Sequence, residues 1–529
     1  MTTHFNWAPD SENQIIPWNA RFEFPSVATR STLMMPRIPP TNGSNFSPGQ
    51  TIRLEFPAQA YINPHNTTMS FDVTLYNYVG GTGTVRLQNG AASVFSRVRL
   101  LYGSSVLEDM RGYNDITRLL IEHVGTNSQN SVDESSIAEG QGGVCTDIDS
   151  TGGYMGLCNV RQKMIHGVSE GTQPISASDF FGGTGFGSVP QTTDRPFTGG
   201  NGGTFSTRRY TIPFALGMFI QDKLIATKFM ASQFAIELTL EQPAGCIFAP
   251  HAAGFSVSPT YTISNVNLMP EMLLFDQVFD ETFVQGLESG GVMYKFSSWR
   301  QYSTSVFAAN VSFSIGERSR WIKAIFTVQK RATPTFTTDQ GACYFDTSVD
   351  GQSCLQSFQY RAGGKFYPPS PVECSPSGSA ISNGGSEALI ELQKALRTYN
   401  DKRLSSSMNT NRWAIQNAGG VLFDQDYKSS ILTTSAIGVP TVKNVETVLN
   451  SFCGSVGSQI FVMAVNFDSS TRGELAGLNG EEQNSITLNA NWAKQQQTGA
   501  ASTPSSLVAY TYFDSVFILG ANNTAKLVE

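Results

Sequence analysis

The chain has 529 residues and a net charge of -7, with 40% hydrophobic and only 15% charged residues, against roughly 25% charged in an average soluble protein. With 11% aromatics and so small a net charge it is no disordered chain, and its few charges suggest that much surface is hidden against other chains. The longest nearly apolar run, Pro213 to Ile220, is far short of the roughly 20 residues a membrane-spanning helix needs.

The N-terminal MTTHFNWAPDSENQ has no basic start leading into an apolar stretch, so no secretory signal is read there. The 7 cysteines are odd in number and irregularly spaced, and free thiols in a reducing compartment are the expectation. The sequons at Asn42, Asn45, Asn66, Asn310 and Asn522 then read as chance matches.

Residues 1–50 read as an extended arm. Prolines 9, 17, 25, 36, 39, 40 and 48 exclude a helix or a central strand. The arm also carries Phe5, Trp7, Trp18, Phe22 and Phe24, aromatics that call for a covering surface, so it is expected to act in assembly, with folding back on its own domain as the alternative. Alternating apolar residues then predict strands, through Ile52, Leu54 and Phe56, through Met69, Phe71, Val73 and Leu75, and through Val98, Leu100 and Tyr102. A short helix is expected after Asn114, with Ile116, Leu119, Leu120 and His123 on one face. Residues 125–205 hold 17 of the 49 glycines and 8 acidic against 3 basic residues. They read as a long, outward-facing surface loop.

Three strands follow, near 207–214, at 232–240 and from Tyr261. The third changes phase between Ile263 and Val266, which predicts a bulge. A comparable trio recurs at 458–467, 484–492 and from Val508, each about 250 residues later. Between the trios come strands near 292–296, 311–315 and 322–328, and a helix over 386–399 with Ser386 as its cap. Two all-β domains are therefore expected, joined by residues 276–291.

Catalytic and metal-binding patterns are weak. There is no CxxC, HExxH or GxxxxGK, and the 5 histidines are scattered. Gly363-Gly364-Lys365 lacks the upstream glycine of a phosphate loop, and GGTGFG at 182–187 misses the dinucleotide spacing. Asp147 and Asp149 are solvated loop carboxylates by default, with calcium as the alternative. Cys343, Cys354 and Cys374 lie too far apart for zinc knuckles; Cys145 and Cys158 are open to pairing or to remaining free. No catalytic, cofactor or metal residue is assigned. The basic pairs Arg208-Arg209 and Lys330-Arg331 are expected at strand ends, and dispersed positive charge predicts no strong direct nucleic-acid binding.

Three segments carry a resemblance. SPGQTIRLEFPAQAYINPHNTTMSFDVTL (47–75) resembles the first strands of a double jelly-roll major capsid protein. SRVRLLYGSSVLEDMRGYNDITRLL (96–120) is similar to that family's strand leading through an LE turn into a short helix, and FQYRAGGKFYPPSPV (358–372) to its glycine step, aromatic and prolines. The closest flavour is that of polinton-like viruses and virophages, tailless icosahedral double-stranded DNA viruses of the lineage that includes adenovirus hexon. The resemblance implies an all-β chain of two tandem eight-stranded antiparallel jelly rolls with short helices and long outward loops. On that plan 1–50 is the arm, 51–275 the first roll with its insertion at 125–205, 276–291 the linker and 292–529 the second roll. It further implies a non-enzymatic virion protein without cofactors. Its partners would be itself, as a homotrimer and as neighbouring capsomers, the penton and minor capsid or cement proteins, and a host receptor at the outer loops. It would be made in the host cytoplasm and assembled there or in the nucleus. Jelly rolls also serve lectins and glycan-active enzymes, so a secreted or surface glycan-binding β-sandwich protein is the alternative, with a carbohydrate-active enzyme behind it.

Overall fold

The computed structural model describes residues 31–77, 85–87, 91–117, 167–168, 197–198, 204–248, 260–289, 291–306, 308, 310–331, 355–374, 386–396, 432–434, 440–442, 462–467, 477–482, 485–492, 505–520 and 525–529. Residues 1–30 of the expected arm, the helix beyond 117 and nearly all of 125–205 lie outside the described residues.

Eight strands build the first half: β1 (Ser31–Met34), β2 (Thr51–Glu55), β3 (Tyr61–Asn77), β4 (Phe95–Tyr102), β5 (Ser105–Arg111), β6 (Thr204–Pro213), β7 (Phe234–Leu240) and β8 (Thr260–Phe275). Alternation fixes which way each faces. In β2, Ile52 and Leu54 are fully buried between partly exposed Thr51, Arg53 and Glu55. In β3 the buried face is Met69, Phe71, Val73 and Leu75. The strands pair antiparallel in two sheets, ordered β1-β8-β3-β6 and β2-β7-β4-β5, and their apolar faces share one core. Part of the segment read as an arm joins this roll. Ser31–Met34 and Asn45–Phe46 both pair with β8, and Ile38 bridges Leu268.

The second half repeats the plan with β9 (Val292–Val306), β10 (Asn310–Ile315), β11 (Ile322–Arg331), β12 (Leu355–Ala362), β13 (Lys365–Glu373), β14 (Met463–Asn466), β15 (Ile486–Trp492) and β16 (Ser505–Leu519). Its sheets run β9-β16-β11-β14 and β10-β15-β12-β13, so every strand stands where the strand eight earlier stands in the first roll. This is an eight-stranded jelly roll made twice. A final strand, β17 (Ala525–Val528), pairs with the end of β16.

The helical segments that bear on the site are α1 (Tyr113–Asp115), α2 (Gly217–Ile220), α3 (Gln277–Ser289) and α4 (Ser386–Leu396). Residues 276–291, read only as a connection, contain α3. The Asp276 carboxylate accepts the Phe279 amide at 3.1 Å and so caps it. Phe279 and Phe283, one turn apart, lie 5.4 and 5.5 Å from the Tyr61 ring, and the Tyr61 hydroxyl donates to Asp280 at 2.8 Å. The linker is thereby packed onto the first roll. α4 opens at Ser386 as expected and buries Ala388, Leu392, Ala395 and Leu396.

The phase change in β8 is a bulge. Pairing with β3 shifts register between Ser264 and Asn267, and Asn265 takes a φ of 50°. β16 has no such break on its β9 side: Tyr512 and Val516 share one parity, and the pairing with β9 is unbroken. Val508, Tyr510 and Tyr512, then Phe517 and Leu519 from the other parity, all join the core shared with the first roll. The register shift at this place falls instead on β11, between Ile322 and Ala324. Because Asn265 is left-handed, Asn265→Val should cost about 1–2 kcal/mol and Asn265→Gly less, read as shifts in the urea midpoint.

Candidate functional site

The chemistry of this chain concentrates where one roll meets the other. β9 and β16 of the second roll lie against β5, α1 and α2 of the first, and one continuous apolar core crosses the junction. Tyr102 meets Phe517 at 5.7 Å between ring centroids, and Trp299 meets Tyr512 at 4.6 Å. Backbone contact here is close. A Cβ on Gly217 would come within 1.9 Å of the Ser297 carbonyl oxygen, so only glycine lets α2 approach β9.

Glu108 on β5 is the polar centre of the seam. Its carboxylate accepts the Gly217 amide at 2.9 Å, the Met218 amide at 2.8 Å and the Ser298 hydroxyl at 3.2 Å. The first two donors belong to the first roll and the third to the second. Burial pushes this carboxyl up to about 7, and the three hydrogen bonds oppose that rise. Nearby, the Tyr510 hydroxyl of β16 donates to the buried Asp115 of α1. The Ala226 amide donates to Tyr294 at 3.2 Å, and Lys223 donates to the Met293 carbonyl at 2.9 Å.

Two charged clusters brace the second roll beside this seam. Arg300 donates to Glu317 at 2.8 Å and to Glu529 at 2.7 Å, with its guanidinium 4.7 Å from the Phe513 ring centroid. Burial alone would raise the Glu317 carboxyl. Arg300, with the Ser319 and Thr511 hydroxyls, instead holds it below its ordinary value. Buried Asp514 accepts Ser297 at 2.6 Å and pairs with Lys323 at 2.8 Å and Lys295 at 3.4 Å. Each cluster neutralises a carboxylate that would be costly to bury alone.

The matching outer sheet faces of the two rolls differ. On β2, β7 and β4 of the first roll, Arg53 pairs with Glu55 at 2.9 Å and Glu237 at 3.0 Å, and Arg99 with Glu237 at 2.5 Å. On β10, β15 and β12 of the second, Asn310, Ser312, Asn489, Asn491 and Gln359 line a shallow neutral groove.

The motifs weighed from sequence fall elsewhere. Gly363 and Gly364, at φ of 54° and 87°, form the turn between β12 and β13, the counterpart of Gly103 between β4 and β5. Arg208 and Arg209 lie within β6 rather than at its end, and Arg209 pairs with Asp72 at 3.7 Å. Lys330 and Arg331 do end β11. Cys246 and Cys374 are both buried. Asp147, Asp149, Cys145, Cys158, Cys343, Cys354 and the GGTGFG run lie outside the described residues. Among the described residues no group of three or more His, Cys, Asp or Glu is placed to hold a metal ion, and no helix is long and apolar enough to cross a membrane. Sequence reasoning passed over Glu108, whose signal was a charge at an inward position, opposite buried Leu100.

The strand order and the single core across the seam define a class: an all-β protein of two side-by-side jelly rolls in one chain. No protein-family model and no curated protein matches the sequence. Solved structures do match it over nearly its full length. The Faustovirus major capsid protein has a TM-score of 0.53 at 8% identity, with 96% of this chain and 93% of that one covered. The crystal structure of the mavirus major capsid protein has a TM-score of 0.51 at 9% identity, with 100% and 94% covered. The chain therefore has the double jelly-roll fold of these major capsid proteins.

Because Glu108 is raised from 4.5 to about 7, the folded chain holds a proton there that the unfolded chain releases. Its contribution is full below about 4.5 and is lost as pH rises through about 7. Against Glu108→Gln, the wild type should lose up to about 3 kcal/mol of relative stability between pH 4.5 and 8, measured by urea titration at each pH. Gly217→Ala should force α2 away from β9 and loosen the seam, seen as a large fall in melting temperature and new protease cleavage in 213–226.

Proposed function

We propose that this chain is the major capsid protein of a tailless icosahedral double-stranded DNA virus. Three copies form a pseudo-hexagonal capsomer, and capsomers tile the shell. The observation that carries the reading is the duplicated roll. Two units of one strand order stand side by side around a shared core, so three chains present six similar rolls, and six similar units tile a plane. The match to two capsid folds over almost the whole chain supports the same reading. The role is structural rather than enzymatic and its place is the virion shell. Its partners are other copies of itself, then penton, minor capsid or cement proteins, with the outer loops facing a host receptor. Residues 1–50 are the arm, of which Ser31–Met34 and Asn45–Phe46 pair with the first roll, and the boundaries near 275 and 292 separate the rolls.

Purified protein should be a stable trimer, because obligate interfaces commonly bury more than about 2,000 Å². Light scattering should give three times the chain mass at micromolar concentration, and negative-stain images should show hexagonal outlines. A monomer, or particles without sixfold character, would overturn the reading.

A further inference from the structure

The seam inside the chain specifies a second seam between chains. In the chain, the side of the first roll bounded by β5 and β6, with α2 following β6 and α1 following β5, packs against β9, the edge strand of the second roll. Strand for strand, β13 and β14 are the counterparts of β5 and β6, and β1 is the counterpart of β9. Among the described residues, the first roll thus has a β9-type edge with no roll of its own chain against it, and the second has a β5/β6-type side in the same condition.

Both surfaces carry unusual apolar exposure. On and just after β1, Leu33, Met34 and Met35 are 57%, 45% and 56% exposed. At the complementary side, Phe366 on β13 is 46% exposed and Ile390 on α4 is 53% exposed. These five account for more than half of the exposed large hydrophobic residues among the described residues. Large apolar side chains gathered at two corresponding edges mark an interaction surface. The β13 edge also holds Pro368, Pro369 and Pro371, which bar a further strand from pairing there. Contact must be made by side chains, as it is in the internal seam.

We infer that Phe366 and Ile390 of one copy dock on the Leu33–Met35 strip of a second copy, head to tail, repeating between chains the contact that β5 makes with β9 within the chain. Two different surfaces meet, so the interface is heterologous, and it closes into a ring when the rotation between copies completes a turn, as the capsomer reading requires. The inference rests on the capsomer reading and names the surfaces that build it.

Two double variants test it, Leu33→Glu/Met34→Glu and Phe366→Glu/Ile390→Glu, each examined by sedimentation and by melting temperature. The altered residues are exposed, so each chain should fold, and each should sediment as a monomer. Mixed one to one, the two should form a heterodimer and go no further, because only one competent pair of surfaces remains. Trimers persisting in either variant, or a mixture that stays monomeric, would overturn the interface while leaving a trimeric wild type and the capsomer reading intact. A monomeric wild type would overturn both. Should a glutamate variant fail to fold, Met34→Gln and Phe366→Gln read the same contact, with an expected weakening of self-association of at least about tenfold, and unchanged association would overturn it.

Discussion

The structure depends on one strand that cannot be exposed on either side. β16 has Leu507 and Ala509 in the core between the sheets of its own roll, and Val508, Tyr510 and Tyr512 in the core shared with the first roll. A strand buried on both faces needs a roll behind it and another surface in front. Apolar burial at about 25 cal/mol per Å² makes that covering strongly favourable, so the two rolls behave as one body. α3 adds to this by fixing the connection against Tyr61 rather than leaving it a free tether.

Polar groups at the seam give the apolar contact a single geometry. Hydrophobic contact alone is non-directional, and sheets can slide on one another with little loss of buried area. Glu108 prevents sliding by taking donors from α2 and from β9 at once. Gly217 sets the closest approach, and Asp115 with Tyr510 adds a second fixed point. The raised Glu108 carboxyl makes this joint sensitive to pH near neutrality, whereas the Arg300–Glu317 cluster, with its carboxyl lowered, weakens only in acid.

The two rolls share strand order yet not chemistry. The outer sheet face of the first roll is laced with arginine–carboxylate pairs, and the corresponding face of the second is lined by amides and hydroxyls. Exposed pairs of this kind contribute little stability each, but they set which neighbour fits.

Much of this was legible in the residues themselves. Alternation at Ile52–Phe56, Met69–Leu75 and Phe234–Leu240 located strands because one face of each is buried and the other wet, and the Ile263–Val266 phase change located the bulge at Asn265. The helical spacing of apolar residues in 386–396 located α4. The segment 276–291 held the same kinds of signal, an Asp cap and Phe279, Phe283 and Leu287 at helical spacing, and was read only as a connection. What no pattern in the chain contained was the seam. Its members, Glu108, Asp115, Gly217, Ser298 and Tyr510, come from distant segments, and local periodicity reports only which face of an element avoids water, not which element covers it. The sequence by itself determined two all-β halves of matching order. Tertiary structure alone decided that β16 would be covered on both faces, because that depends on long-range packing of one roll against the other.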